Sequence, residues 1–165
     1  MRASVKVAGA LALALGLAGL GCNDATDGLE VFRADLSPGN EVPARNSPAS
    51  GAAGFTFDGT TVRYSIEVDD LSRTFMGHIH SAPAGTNGPV RVWLFPSTAP
   101  APGPEVTITE KRVIVEGSFT AANVTGITFE ALLNEMRAGN CYVNFHSTTF
   151  PGGEIRGQVR SVAVD

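Results

Sequence analysis

The sequence predicts a mostly β protein, an antiparallel β-sandwich with Greek-key-like connections and one short amphipathic helix. Two observations carry this prediction: apolar and polar residues alternate with a period of two along several segments, and the 19 Gly and 10 Pro supply many turns. Hydrophobic residues make up 43% of the 165 residues, which is enough for one core. We therefore expect a single domain over residues 29–165.

The clearest strand covers residues 62–68, where every second residue is a large apolar one and the residues between are polar or charged. This alternation is typical of a half-buried antiparallel strand. Asp58 and Gly59 precede it and predict a hairpin turn that leads back to a partner strand over residues 54–57. Less regular alternation predicts further strands over residues 29–36, 90–95, 113–119 and 154–164.

One segment departs from the β pattern. Its apolar residues recur at the spacing of one helix face: Phe129, Leu132, Leu133 and Met136. Thr128 is a suitable N-cap, and Gly139 is a natural stop after the last turn. These signals predict a helix over residues 128–138 that packs through its apolar face.

The N-terminus has the features of an export signal. Arg2 and Lys6 precede an apolar run of about 14 residues that ends at Gly21-Cys22. Such a run is short for a membrane-spanning helix and suits the hydrophobic region of a signal peptide. A small residue before a cysteine at this point resembles a bacterial lipobox, which implies lipidation of Cys22. We expect a signal peptide over residues 1–21 and a polar tether over residues 22–28.

The expected location is the cell envelope, as a periplasmic or outer-membrane lipoprotein held to a membrane by the lipid on Cys22. A plain secretory signal that is cleaved nearby is the alternative. The formal net charge is −4, and the 12 Lys and Arg are scattered singly along the chain. No basic stripe is available for nucleic acid, so nucleic-acid binding is not expected.

The three histidines are placed where strands run into loops. His78 and His80 form a His-Ile-His triplet, and His146 ends a second strand-like segment. Residues i and i+2 of a strand project from the same face about 6.5 Å apart, so two imidazoles can reach one ion. A third histidine on a neighbouring strand completes a three-nitrogen site, which suits copper or zinc. The alternative is that the histidines are structural.

Three neighbouring residues bear on this site. Met76 has the same parity as His78 and is a further candidate ligand, because a thioether favours copper. Asn144 shares parity with His146, so we expect it to orient a ligand through a hydrogen bond. Cys141 has the opposite parity, so we expect a buried thiol that points away from the ion.

The final strand carries a row of polar residues on one face, at Glu154, Arg156 and Gln158. We interpret these as a solvated or salt-paired face. The loop over residues 81–89 is rich in Gly and Pro and is expected to wrap the histidine site. The sequence contains none of the nucleophile or phosphate-binding motifs of common enzymes, so an enzymatic role is not favoured.

Several of these motifs together resemble the CHRD domain, the module first described in chordin. They include residues 32–43, the triplet at 78–80, the segment Ala84-Gly85-Thr86-Asn87-Gly88-Pro89-Val90, residues 142–146 and residues 150–158. The resemblance extends over about residues 30–160 with the motifs in the expected order. It implies a β-sandwich outside the cytoplasm and implies little about activity.

The three histidines also resemble copper ligands of copper/zinc superoxide dismutase, another β-sandwich. There, too, a His-x-His on a strand precedes a Gly-rich loop, and a late strand supplies another copper ligand. The present chain lacks a further histidine for the bridging position and has no recognisable zinc subsite. The dismutase resemblance thus implies a mononuclear copper site and not the full dismutase centre.

These observations lead to one main hypothesis and two alternatives. The main hypothesis is an envelope-anchored copper-binding protein that buffers, sequesters or delivers the metal, with zinc as the second choice of metal. The first alternative is a non-catalytic module for adhesion or for binding a protein partner of unknown identity. The second is a copper enzyme similar to superoxide dismutase.

Overall fold

The computed structural model describes residues 28–96 and 103–163. Within these ranges the chain forms nine strands and one α-helix. The strands are β1 (Glu30–Leu36), β2 (Ser50–Phe57), β3 (Val62–Asp69), β4 (Thr74–Ser81), β5 (Val90–Phe95), β6 (Arg112–Phe119), β7 (Cys141–Ser147), β8 (Ile155–Gln158) and β9 (Arg160–Val162), and the helix is α1 (Phe129–Arg137). The predicted signal peptide, tether and lipidation site at Cys22 lie outside the described residues. None of the described helices has the length and apolarity needed to cross a membrane.

The strands form two antiparallel sheets, which confirms the predicted mostly β sandwich. One sheet has the order β6-β3-β2-β1-β9, and the other has the order β5-β4-β7-β8. The predicted hairpin is present between β2 and β3, where Asp58 Oδ1 accepts hydrogen bonds from the amides of Thr60 and Thr61. Gly59 has φ 95° in this turn, a conformation that glycine adopts without strain.

The core lies between the two sheets and is built from alternate residues of the strands. Phe32, Phe55, Ile66 and Phe145 are among its fully buried side chains. Helix α1 adds Leu132, Leu133 and Met136, as its spacing predicts. Thr128 caps the helix by accepting a hydrogen bond from the amide of Ala131, and Gly139 follows the helix with φ 72°. The sequence therefore located this helix and both of its ends.

The last predicted strand is divided between the two sheets. β8 pairs with β7 in one sheet, and β9 pairs with β1 in the other. The division falls at Val159, whose amide donates to the carbonyl of Cys141. Alternation continues through this residue, so the sequence pattern did not reveal that the chain crosses from one sheet to the other.

The backbones of β8 and β1 approach each other at Gly157. A Cβ at this position would clash with the carbonyl oxygen of Asp35, a backbone atom that cannot rotate away. We expect Gly157→Ala to lower the free energy of unfolding by about 1–3 kcal/mol, as overpacking does. The matched control is Gly54→Ala on β2, where a Cβ would have nothing within 4 Å. Urea denaturation of both variants tests this, and equal stabilities would contradict it.

Candidate metal site

β4 and β7 are the two central strands of the four-stranded sheet, and they carry all three histidines on its outer face. In the antiparallel register His78 lies opposite Asn144, and Met76 lies opposite His146. The intervening residues of β7 project into the core. The predicted parity is therefore confirmed: His78, His80 and His146 share one face of the sheet with Met76 and Asn144.

The three imidazoles converge and are buried, with exposed fractions of 2% for His78, 8% for His80 and 7% for His146. One ring nitrogen from each lies within 4.8 Å of the others. Nδ1 of His78 is 3.3 Å from Nε2 of His146. Two nitrogens at zinc-bond distance from one ion are also about 3.3 Å apart at the tetrahedral angle. The group can therefore hold a metal ion with little rearrangement of this pair.

Backbone carbonyls orient two of the three rings. Nδ1 of His80 donates to the carbonyl of Gly88 over 2.8 Å, and Nδ1 of His146 donates to the carbonyl of Pro151 over 2.9 Å. A carbonyl only accepts, so the proton of each neutral ring is on Nδ1. The lone pair on Nε2 is then left for the site, and Nε2 of His80 has no hydrogen-bond partner among the described residues. Such outer hydrogen bonds are typical of metal-binding histidines.

All three histidines have lowered pKa values. Burial lowers the pKa of His78 to about 3, with further contributions from His146 and His80. Burial lowers the pKa of His80 to about 4, against the opposing effect of the hydrogen bond that His80 donates to the Gly88 carbonyl, and burial also lowers the pKa of His146. The rings are therefore neutral at pH 7, which is the form that binds a metal.

These shifts predict acid sensitivity of the metal-free protein. Below pH 6.5 the unfolded chain takes up protons on its histidines while the folded chain does not, so the folded state loses stability as the pH falls towards 4. Glu41 acts in the opposite direction, because burial raises its pKa. We expect the free energy of unfolding to fall by roughly 2 kcal/mol per pH unit between pH 6 and pH 4. Urea denaturation at several pH values measures this, and a flat profile would contradict it.

Asn144 lies within the site. Its Oδ1 is 3.2 Å from Nε2 of His146. Because the proton of His146 is on Nδ1, two acceptors face each other at this point. Either a cation between the two atoms or a rotated Asn144 amide, with Nδ2 donating to Nε2, satisfies this pair. The structure thus places Asn144 against the ligand nitrogen, and its orienting role stays a prediction.

The predicted solvated or salt-paired face at Glu154, Arg156 and Gln158 is wrong for its first two residues, which are buried and form no ion pair within the described residues, whereas Gln158 is half-buried. Arg156 is 2% exposed and Glu154 is 4% exposed. The guanidinium of Arg156 lies 3.3 Å above the ring of Tyr142, and it donates to Oδ1 of Asn87 over 3.0 Å and to the carbonyl of Thr86 over 2.7 Å. The loop that carries Thr86 and Asn87 therefore covers Arg156.

Tyr142 joins this cluster to the metal site. β7 lies between β4 and β8, so Tyr142 has His80 on one side and Arg156 on the other. The rings of His80 and Tyr142 are stacked with centroids 4.7 Å apart and an interplanar angle of 7°. The Tyr142 hydroxyl accepts a hydrogen bond from the amide of Gly88, the residue whose carbonyl holds His80. His80 is thus fixed on two sides.

Cys141 has the predicted position. Its side chain is fully buried in the core, on the opposite side of β7 from His146. Burial raises the pKa of the thiol to about 12, so the reactive thiolate is not formed at neutral pH. Cys141 is therefore a packing residue and takes no part in the histidine group.

Trp93 is the residue near the site that the sequence analysis missed. It is half-buried on β5, and its indole centroid is 4.2 Å from the imidazole centroid of His78. The signal was available, because Val92 and Leu94 face the core and leave Trp93 on the outer face of its strand. What the sequence could not show is that β5 pairs with β4 in the register that brings Trp93 opposite His78.

A family model described as the CHRD domain matches residues 32–159. The chain belongs to the CHRD domain family. The match includes every strand residue named in the site, so the histidine group lies within the CHRD domain. The resemblance inferred from the sequence motifs is therefore confirmed.

No curated protein and no solved structure matches the chain. The weaker resemblance to copper/zinc superoxide dismutase is consequently not supported. Within the described residues, the three histidines are also the only group of His, Cys, Asp and Glu that converges in this way.

Proposed function

We propose that this CHRD domain binds one transition-metal ion through His78, His80 and His146, with copper as the preferred metal. The observation that carries the proposal is the convergence of three buried, neutral imidazoles on one point. Two of them have their outer nitrogens held by carbonyls, so their inner lone pairs are directed into the site. Buried lone pairs without a partner are costly unless a cation satisfies them.

The set of ligand atoms favours copper over zinc. Imidazole nitrogen suits both metals, and affinity for a given nitrogen site is higher for copper than for zinc. Met76 is half-buried and lies opposite His146 on the same face of the sheet. We propose Met76 as an additional ligand, because a thioether favours Cu(I).

The burial of the site supports a holding role over catalytic turnover. Catalytic metal sites keep an open coordination position for water or substrate, whereas structural and storage sites are closed. All three histidines here are less than a tenth exposed. Buffering, sequestration or delivery of copper fits this geometry better than a dismutase-like reaction.

The location completes the proposal. A signal peptide over residues 1–21 and lipidation of Cys22 would anchor the CHRD domain to a membrane of the cell envelope, in the periplasm or on the outer membrane. A short polar tether over residues 22–28 would leave the domain free to meet metal donors or acceptors. Metabolic labelling with a fatty acid tests this, since Cys22→Ala should abolish the label.

The deciding experiment is a titration of the metal-free protein with Cu(II), followed by EPR spectroscopy. We expect one ion per chain, nitrogen hyperfine structure in the spectrum and a rise in the melting temperature, because a tight ligand stabilises the folded state. Absence of stoichiometric binding would refute the proposal. The histidines would then be structural, and a role in binding a protein partner would be favoured.

A further inference from the structure

The rings of Trp93 and His78 are unusually close to each other. The two rings are nearly perpendicular, at 87°, with centroids only 4.2 Å apart. Edge-to-face aromatic pairs ordinarily have centroids about 4.5–7 Å apart. The shorter separation requires the smaller ring to supply the edge, because an indole extends further from its centroid than an imidazole does. The edge of His78 is therefore directed at the face of the indole.

The positions of the strands identify which edge of His78 this is. β4 lies between β5 and β7, so Trp93 and His146 are on opposite sides of His78. Nδ1 of His78 faces His146 at 3.3 Å. Across the five-membered ring from Nδ1 are Nε2 and Cδ2, so these two atoms face the indole. Nε2 is buried and has no hydrogen-bond partner among the residues of the two described ranges.

We infer that Trp93 is a positioning residue of the metal site, whose indole face accepts the Nε2–H of His78 and so presents Nδ1 of His78 to the metal. An N–H group directed at an aromatic face forms a weak hydrogen bond. In the alternative tautomer Nδ1–H of His78 would donate to Nε2 of His146, as the metal-free protein allows, but the lone pair of Nε2 would then face the negative face of the indole, which is unfavourable. A metal ion bound at Nδ1 takes the place of that proton. The inference rests on the proposed metal-binding function.

This arrangement gives every imidazole an outer partner. His80 and His146 have theirs on backbone carbonyls and present Nε2 to the site. The outer partner of His78 is the indole of Trp93, and His78 presents Nδ1 to the site. The site therefore combines one Nδ1 ligand with two Nε2 ligands, and Trp93 has the role that a backbone carbonyl has at each of the other two rings.

The test is NMR spectroscopy of the ¹⁵N-labelled full-length protein loaded with Zn(II), which is diamagnetic. Long-range ¹H–¹⁵N spectra distinguish a metal-bound ring nitrogen from a protonated one. We expect zinc on Nδ1 of His78 and on Nε2 of His80 and His146, with the Nε2–H proton of His78 shifted upfield by the indole ring current. Zinc on Nε2 of His78 would overturn the inference and leave the proposed function intact. Absence of zinc binding would overturn both.

Two variants at position 93 provide the matched comparison. Trp93→Leu removes the aromatic face, and we expect zinc affinity to fall about 10–100-fold, the range for outer partners of metal-binding histidines. Trp93→Phe keeps an aromatic face and should recover most of the parent affinity. Equal affinities of the Leu variant and the parent would overturn the inference. If Trp93→Leu does not fold, the spectra of the parent and of Trp93→Phe decide.

Discussion

His146→Ala is expected to lower the affinity for Cu(II) by more than about 100-fold. Loss of a group that only hydrogen-bonds to a metal ligand typically lowers affinity about 10–100-fold, whereas this substitution removes a ligand itself. The copper-dependent rise in melting temperature should shrink in parallel, since that rise depends on the ratio of metal concentration to Kd. Competition with a chelator of known affinity measures the change. Unaltered affinity would show that copper binds elsewhere on the chain.

The matched control is Cys141→Ala, on the same strand as His146. A thiol is a strong ligand for copper, so Cys141 is the residue that could mislead such an experiment. Its side chain is in the core, on the other face of β7. We expect this variant to keep the copper affinity of the parent. A large loss of affinity would indicate that the thiol, and not the imidazole group, holds the ion.

Arg156→Leu is expected to have the largest effect on stability. The guanidinium stacks on Tyr142, donates two hydrogen bonds to the loop over residues 82–89 and offsets the charge of buried Glu41. Breaking a buried charge cluster by removing one partner typically costs about 3–5 kcal/mol. We expect a loss of this size in the free energy of unfolding, measured by urea denaturation.

Arg160→Leu is the control for this prediction, because Arg160 follows on β9 and its side chain is exposed. Substitutions at such surface positions usually change stability by less than about 0.5 kcal/mol. The double variant Arg156→Leu with Glu41→Gln should recover part of the loss, since it removes the carboxylate left without its cation. Equal effects of the two single substitutions at Arg156 and Arg160 would refute the buried role of Arg156.

Much of the fold and the core of the site could be predicted because both depend on local periodicity. The alternation along β4 and β7 was sufficient to place the three histidines on one face, and the spacing of Phe129 and Leu133 was sufficient to identify α1. Parity also separated Cys141 from the site. These are properties of single elements, and a sequence pattern reports them directly.

The features of the fold and site that could not be predicted depend on which side chains the loops bury. Alternation shows that Arg156 and Ile155 face opposite sides, but it does not show that loops cover the outer side as completely as the second sheet covers the inner side. Ser37 pairs with Arg156 through the backbone, and Ser47 donates to Glu154 over 2.5 Å. These contacts join residues more than a hundred positions apart, and no local pattern encodes them.

β7 is buried along its whole length, from Cys141 to Ser147. The side chains of Cys141, Val143 and Phe145 belong to the core, and those of Tyr142, Asn144 and His146 belong to the cluster around the histidines. Every substitution on this strand would therefore change either the core or the histidine cluster of the proposed metal site. At the proposed site, a change of metal preference would be accommodated most easily at Met76 and Trp93, because their side chains are only half-buried.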